Sequence, residues 1–272
     1  MPVAVGSTSR PPATALVTGA SAGLGRAFAR LAAKDGCDLA VVARRSDRLL
    51  ALAAELRTAH GVRVLPLTAD LTTPGAEAAV LAAIATAGWA PPALLVNNAG
   101  FGTYAPFAAT SLDDVDGMLQ LNVRALTLLT RACLPAMLQA GRGAILNVAS
   151  TAGFQPGPGM AVYYATKAYV LSFTEALAEE LRGTGIRVTA LCPGPVATEF
   201  QARAGLDSGR PMRGAKVQGA EAVAAAGMRA LRRGQVVAVP GTTNQLGAMA
   251  VRLLPRSLVR RLVKWLMEQR SK

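Results

Sequence analysis

The sequence predicts a doubly wound parallel α/β sheet in a single domain, on three observations. Short apolar segments alternate with longer helical patterns from Thr14 to Gly194. The apolar segments run without polar interruption, as strands covered on both faces do. The first strand-to-helix corner is rich in glycine.

In order, TALVTG is a strand followed by the helix GRAFARLAAKDG, LAVVA leads to DRLLALAAELRTA, and VRVLPLTAD leads to AEAAVLAAIATAG. This βαβαβ rhythm continues through the strand ALLVNNA, a helix over 112–140, the strand AILNVAS, a helix over 161–182 and the strand RVTALCPG. QVVAV at 235–239 reads as the last strand. Such an arrangement is Rossmann-like, with ligands at the carboxyl ends of the strands. Residues 1–12 are expected to be a disordered tail, 13–242 the dinucleotide-binding and catalytic domain, and 243–272 a basic amphipathic helical extension. Residues 199–220 mix glycine, proline and charge beyond a strand end, which suits either a substrate lid or an ordinary surface loop.

Composition narrows the function classes. The 272 residues are 51% hydrophobic, yet no run reaches the ~20 apolar residues of a membrane span. The N-terminus lacks the pattern of a secretory signal, so a cytoplasmic location is expected. Cys37, Cys133 and Cys192 have no metal-binding or disulfide spacing, and His60 is the only histidine, so no metal site is expected. The net charge of +13 comes from basic residues scattered over helices without interleaved aromatics, so nucleic acid is not an expected partner.

Two clusters carry chemistry. TGASAGLG at 18–25 places Gly19, Gly23 and Gly25 between the first strand and helix, where a tight turn and free amides can hold a pyrophosphate. At the end of the second strand, Arg44 and Arg45 stand where an acidic residue would hold the ribose hydroxyls of NAD. Guanidinium groups there suit a 2′-phosphate, so NADP is the expected cofactor. Further along, Tyr163 and Lys167 are four residues apart on one helix face, following Ser150. A lysine beside the phenol is expected to lower its pKa, and a serine hydroxyl can hold a carbonyl oxygen as charge develops. Tyr164, three residues from Lys167, points about 100° away.

With these residues in place, the chain resembles a short-chain dehydrogenase/reductase over roughly residues 13–240. The resemblance makes TGASAGLG the cofactor turn, with Gly19, Ser21, Gly23, Leu24 and Gly25 as its binding residues. It implies that Asp70 and Leu71 contact adenine, that Asn98, Ala99 and Gly100 of NNAG line the cofactor groove, and that Asn122, Ser150, Tyr163 and Lys167 form a catalytic tetrad. Pro193, Gly194, Val196 and Thr198 of PGPVAT are implied at the nicotinamide. The implied reaction is hydride transfer to a carbonyl: Tyr163 gives the proton, Ser150 holds the oxygen, Lys167 binds the ribose, and Asn122 holds a water that refills the proton. One departure is Ala22, where many NADP-using relatives carry a basic residue, which leaves dual NAD and NADP use open.

Phe101, Tyr104, Phe154, Met160 and Phe200 suit either the crevice mouth or the ordinary core; at the mouth, with no arginine aimed at a carboxylate, they make an apolar ketone, aldehyde or alcohol the expected substrate. The tail repeats Leu254, Leu258, Leu262 and Leu266 every four residues on a basic helix carrying Trp265. Packing on the domain or a partner subunit is the main expectation for it, and peripheral contact with an anionic membrane the alternative. The resemblance also implies a homo-oligomer paired through the helices carrying Asn122 and Tyr163. Two competing functions remain: an NADP(H)-sensing binding protein of the same fold without turnover, and a peripheral membrane protein acting through its tail.

Overall fold

The computed structural model describes residues 13–206 and 217–268. The expected tail at 1–12 and the middle of the 199–220 insert lie outside the described residues. Seven parallel strands form one sheet in the order β3-β2-β1-β4-β5-β6-β7. They are β1 (Thr14–Thr18), β2 (Asp38–Ala43), β3 (Val64–Thr68), β4 (Leu94–Asn97), β5 (Gly143–Val148), β6 (Ile186–Leu191) and β7 (Val237–Ala238). Every residue of β1 is buried, as the uninterrupted apolar run requires of a central strand. Pro66 sits in β3, the edge strand, where its missing N–H costs no ladder bond on the open side.

Helices α1 (Gly23–Lys34), α2 (Ser46–His60), α3 (Ala76–Thr86), α4 (Leu112–Leu119), α5 (Leu126–Gln139), α6 (Ala161–Glu180), α7 (Phe200–Arg203) and α8 (Ala220–Arg232) accompany the sheet. Two core clusters lie on its opposite faces: Phe28, Leu49, Leu56 and Val223 with alternate residues of β1 and β2, and Leu129, Met137, Ile145 and Leu177 with the others. At about 25 cal/mol per Å² of apolar surface removed from water, this double burial is the main force holding the layers together. The strand order reverses between β1 and β4, so the turn after β1 and the segment after β4 open side by side into the crevice.

The single helix expected over 112–140 is interrupted. Between α4 and α5, Gln120–Ala125 form a π-helical turn without a break in the chain direction. Arg124 of this turn reaches the buried Glu77 of α3 at 2.8 Å, and Asn122 sits in its middle. Such widened turns recur at functional sites because they re-aim one side chain.

The tail also differs from expectation. It is two helices, α9 (Thr242–Leu253) and α10 (Arg256–Glu268), separated at Pro255, whose ring cannot continue the first helix. The stripe that α10 buries is Val259, Val263 and Met267, not the leucines. These three join Phe101, Met118, Met160, Tyr163 and Ala204 in one apolar cluster at the crevice.

Candidate active site

The cofactor end is built from backbone. Gly19 and Gly23 adopt positive φ (67° and 52°), a conformation glycine reaches without steric cost. A Cβ at Gly19 would lie 2.7 Å from Asn98 Nδ2, and one at Gly25 would collide with Gly19 O. Asn98 closes the turn by donating to Thr18 O at 2.8 Å, while Thr18 Oγ1 accepts from the Asn98 and Ala99 amides, each at 3.0 Å. Thr18 was not among the expected residues; its hydroxyl holds the β1 and β4 ends together. Ala22, at the N-cap of α1, makes no side-chain cap bond, so no side chain of its own covers the helix start.

Three arginines surround the outer end of this groove. Arg44 lies 3.7 Å from Asp70, which also accepts from Thr72 N and Oγ1. Arg45 donates to Ser21 Oγ at 3.0 Å and to Glu199 at 2.6 Å, and Arg48 donates to the other Glu199 oxygen at 2.5 Å. The hydrogen bonds from Arg48 and Arg45 hold the Glu199 carboxyl below the usual range. Arg48 lies one turn into α2 on the face of Arg45, a spacing visible in RRSDR. Glu199 carries no sequence signal for this contact beyond following Thr198.

At the other end, Ser150 ends the segment after β5. Its hydroxyl accepts from Ala152 N at 3.1 Å and donates to Pro193 O at 3.4 Å. Tyr163 and Lys167 lie on one face of α6, both buried, with Lys167 Nζ 5.8 Å from the Tyr163 ring centre and donating to Val148 O at 2.8 Å. The expected lowering of the Tyr163 pKa by the lysine does not occur in this state: burial drives the phenol upward, and the hydrogen bond with Ser150 offsets only part of this. Burial also lowers Lys167 to about 8. Tyr164 stands edge-on to Tyr163, with centroids 6.1 Å apart.

Asn122 lies behind this group. Its amide donates to Phe101 O at 2.8 Å and Thr166 Oγ1 at 3.1 Å, and its Oδ1 accepts from Phe101 N at 3.1 Å. Both donors of its side-chain amide are spent in these contacts.

One cavity of about 620 Å³ joins both ends. Gly19, Ser21, Gly23 and Leu24 line it with Arg44, Arg45, Asp70, Leu71, Asn98, Ala99 and Gly100, and so do Ser150, Tyr163, Lys167, Pro193, Gly194, Val196 and Thr198. Gly25 and Asn122 do not; they pack behind the wall. Phe101, Met160 and Phe200 form apolar lining, Phe200 with its ring 5.2 Å from Tyr163. Tyr104 and Phe154 are absent from the lining. Tyr104 donates to Met267 O of α10 at 3.2 Å, and Arg252 of α9 stacks on Phe154 at 5.4 Å. Among the lining residues not anticipated are Asn244 of α9, whose side chain would meet a Cβ at Gly194, and Arg203 of α7, stacked 4.3 Å over Phe101. From the sequence no arginine is aimed at a substrate carboxylate; Arg203 brings a guanidinium to the cavity in addition to Arg44 and Arg45. Burial, with Arg44 nearby, lowers its pKa, and it forms no ion pair among the described residues.

Among the described residues no His, Cys, Asp and Glu cluster suits a metal ion, and no helix is long and apolar enough to cross a membrane.

Comparison with known proteins bears on this geometry. A family model described as short chain dehydrogenase matches residues 13–208. The NADP-dependent 3-hydroxy acid dehydrogenase YdfG of Salmonella typhi is 41% identical over 187 residues, 68% of this chain and 73% of that protein. Matches to the curated relatives span 61% to 74% of their lengths. A short-chain dehydrogenase from Sphingobium yanoikuyae solved with NADPH is similar over 88% of this chain and 92% of its own, at 38% identity and a TM-score of 0.79. A bulky-bulky ketone specific alcohol dehydrogenase from Comamonas testosteroni is similar over 89% and 92%, at 31% identity and 0.75.

Proposed function

The chain belongs to the short-chain dehydrogenase family, and from that premise we propose that it is an NADP-dependent oxidoreductase that reduces an apolar ketone or aldehyde, or oxidises the matching alcohol. The observation that carries this reading is the single cavity shared by the glycine turn, Arg45, Ser150, Tyr163 and Lys167. NADPH in the Sphingobium neighbour and the NADP dependence named for YdfG support the cofactor.

The residues present fit that dinucleotide. The turn leaves no room for a Cβ at Gly19 or Gly25, and the start of α1 offers amides to a pyrophosphate. Asp70 and Leu71 are assigned to adenine, and Arg44, Arg45 and Arg48 to the 2′-phosphate, where guanidinium forks bind in bidentate fashion. Pro193, Gly194, Val196 and Thr198 are assigned to the nicotinamide end, and Lys167 to its ribose.

The bound dinucleotide supplies the hydride in reduction and takes it up in oxidation. As the carbonyl carbon gains the hydride, negative charge grows on its oxygen. Ser150 donates a hydrogen bond to that oxygen, and Tyr163 gives it a proton. The raised pKa of Tyr163 keeps the phenol protonated and ready to donate at neutral pH. Lys167 returns a proton to the tyrosinate and favours it by charge once that anion forms. Asn122 fixes Phe101 and the Thr166 turn of α6, which holds Tyr163 and Lys167 in register with Ser150.

Met160, Phe101 and Phe200 favour an apolar substrate, in line with the ketone named for the Comamonas neighbour. A second reading rests on Arg203, a cavity guanidinium suited to a carboxylate or sulfonate on the substrate, as the 3-hydroxy acid named for YdfG would carry. Residues 13–242 are proposed as the cofactor-binding and catalytic domain and 243–272 as an extension that walls it. Pairing through α5 and α6 into a homo-oligomer is also proposed, since Leu128 and Tyr169 stand exposed there.

Tyr163→Phe is expected to lower turnover by at least about a thousandfold while NADPH affinity stays within about twofold, because only the proton donor is lost. Wild-type rates from this variant on a true substrate would refute the assignment. Arg203→Ala separates the two substrate readings: an acidic substrate loses about tenfold or more in kcat/KM, and a neutral ketone is unaffected.

A further inference from the structure

Helix α10 is apolar over more of its circumference than the domain covers. At about 100° per residue, the apolar positions run from Trp265 through Leu262 and Val259 round to Met267, an arc of about 200°. The half containing Val259, Val263 and Met267 is buried at the crevice. The other half is in water: Leu258 is 50% exposed, Leu262 45% and Trp265 55%. Helix α9 adds Leu246, Met249 and Leu253, spaced three and four apart on one face and 63% to 84% exposed. Isolated exposed leucines are ordinary, but a patterned stripe on consecutive helices marks a docking surface.

Charge identifies the occupant. The sequence holds no aspartate or glutamate between Glu221 and Glu268. Over the same stretch of α9 and α10 it places Arg252, Arg256, Arg260, Arg261 and Lys264, all exposed. Among the described residues Arg256, Arg260 and Arg261 enter no ion pair, whereas arginines elsewhere, such as Arg26, Arg30 and Arg63, are matched by carboxylates. A second copy meeting this stripe by a two-fold axis would bring an Arg261 from each copy to its edge, with no carboxylate from residues 222–267 to pair them. Trp265 and Arg261 edge the exposed leucines, and Arg260 and Lys264 lie on the remaining polar face of α10, the pattern of a basic amphipathic helix that meets acyl chains with its leucines and anionic headgroups through its charge.

We propose that the outer face of α9 and α10 docks on an anionic lipid surface, α10 lying in the plane of the interface while its inner face stays on the domain. This surface is separate from the catalytic assignments and does not depend on the substrate. It requires no spanning segment.

The test uses the full chain with vesicles of phosphatidylcholine, alone or mixed with phosphatidylglycerol. Wild type is expected to co-sediment with the mixed vesicles and to be released by high salt, since juxtamembrane cations act through a screened attraction. Leu258→Glu/Leu262→Glu/Trp265→Glu and, separately, Arg256→Gln/Arg260→Gln/Arg261→Gln are each expected to weaken partition by about tenfold or more. Both should keep the wild-type melting temperature, because the changed side chains are exposed. Trp89→Phe leaves Trp265 as the only tryptophan of the two, and its emission should shift to the blue on mixed vesicles. Absence of wild-type partition, unchanged partition in both variants, or a Trp265 emission indifferent to lipid would overturn the proposal. A lower molecular mass in solution for the leucine variant, with no lipid binding by wild type, would assign the face to a second copy and also overturn it.

Discussion

Tyr163 and Lys167 share a face of α6, and the fold withdraws both from water. From the sequence, a cation four residues away is expected to pull the phenol down. In the folded chain Lys167 is 5.8 Å from the ring centre and burial dominates, raising Tyr163 and lowering Lys167 to about 8. Spacing reveals the pair but not its titration, because desolvation depends on everything packed around α6. A pH dependence follows for the free enzyme, which kcat/KM reports. Reduction needs Lys167 protonated to restore Tyr163, and Lys167 loses its proton as pH rises through about 8. We expect kcat/KM for carbonyl reduction to be level below that pH and to fall about tenfold per unit above it, with oxidation favoured as pH rises. A reduction profile flat from neutrality to pH 10 would remove Lys167 from the relay.

At the scale of elements, legibility followed the strength of the pattern. The strands of the crossovers are predominantly apolar runs, and all seven appear close to where the sequence places them. The π-helical turn at Gln120–Ala125 has no such signature, because it is selected by contacts such as Arg124 with Glu77 across the fold. Helix α10 shows a different failure. Its leucines and its Val259, Val263 and Met267 series both repeat every four residues, offset by one, so periodicity alone cannot decide which stripe turns inward. The buried stripe is the one beside Tyr104 and Met160, where smaller β-branched chains and a flexible methionine fill the space. This difference is measurable. Val263→Ala is expected to cost about 1 to 2 kcal/mol of unfolding free energy, and Leu262→Ala less than about 0.5, since only the first opens a cavity. Equal costs in denaturant titration would mean that α10 is rotated from this position.

Across the whole molecule, the sheet brings residues remote in sequence to one groove, and this is where the sequence says least. Arg45 and Arg48 begin α2, whereas Glu199 follows β6 by way of PGPVAT, and the two meet only because β2 and β6 end on the same side of the sheet. The segment from Thr198 to Arg203 thus crosses the groove: Thr198 lies against Gly23, Glu199 holds both arginines, and Arg203 rests on Phe101. Glu199 engages the guanidinium groups assigned to the 2′-phosphate, so carboxylate and phosphate compete for the same donors. Removing the carboxylate should favour the dinucleotide that carries the phosphate. We expect Glu199→Gln to tighten NADPH by about three- to tenfold and to leave NADH nearly unchanged, because exposed ion pairs are weak but two guanidiniums are released together. Arg48→Ala should do the reverse, weakening NADPH by about tenfold with little effect on NADH. Both effects should shrink between low salt and 1 M salt, where the Debye length falls to about 3 Å. Titration calorimetry with the two reduced cofactors measures all of these. If NADPH and NADH respond alike to Glu199→Gln, the carboxylate acts on the strap as a whole and not on the phosphate site, and the cofactor preference rests on Arg44 and Arg45 alone.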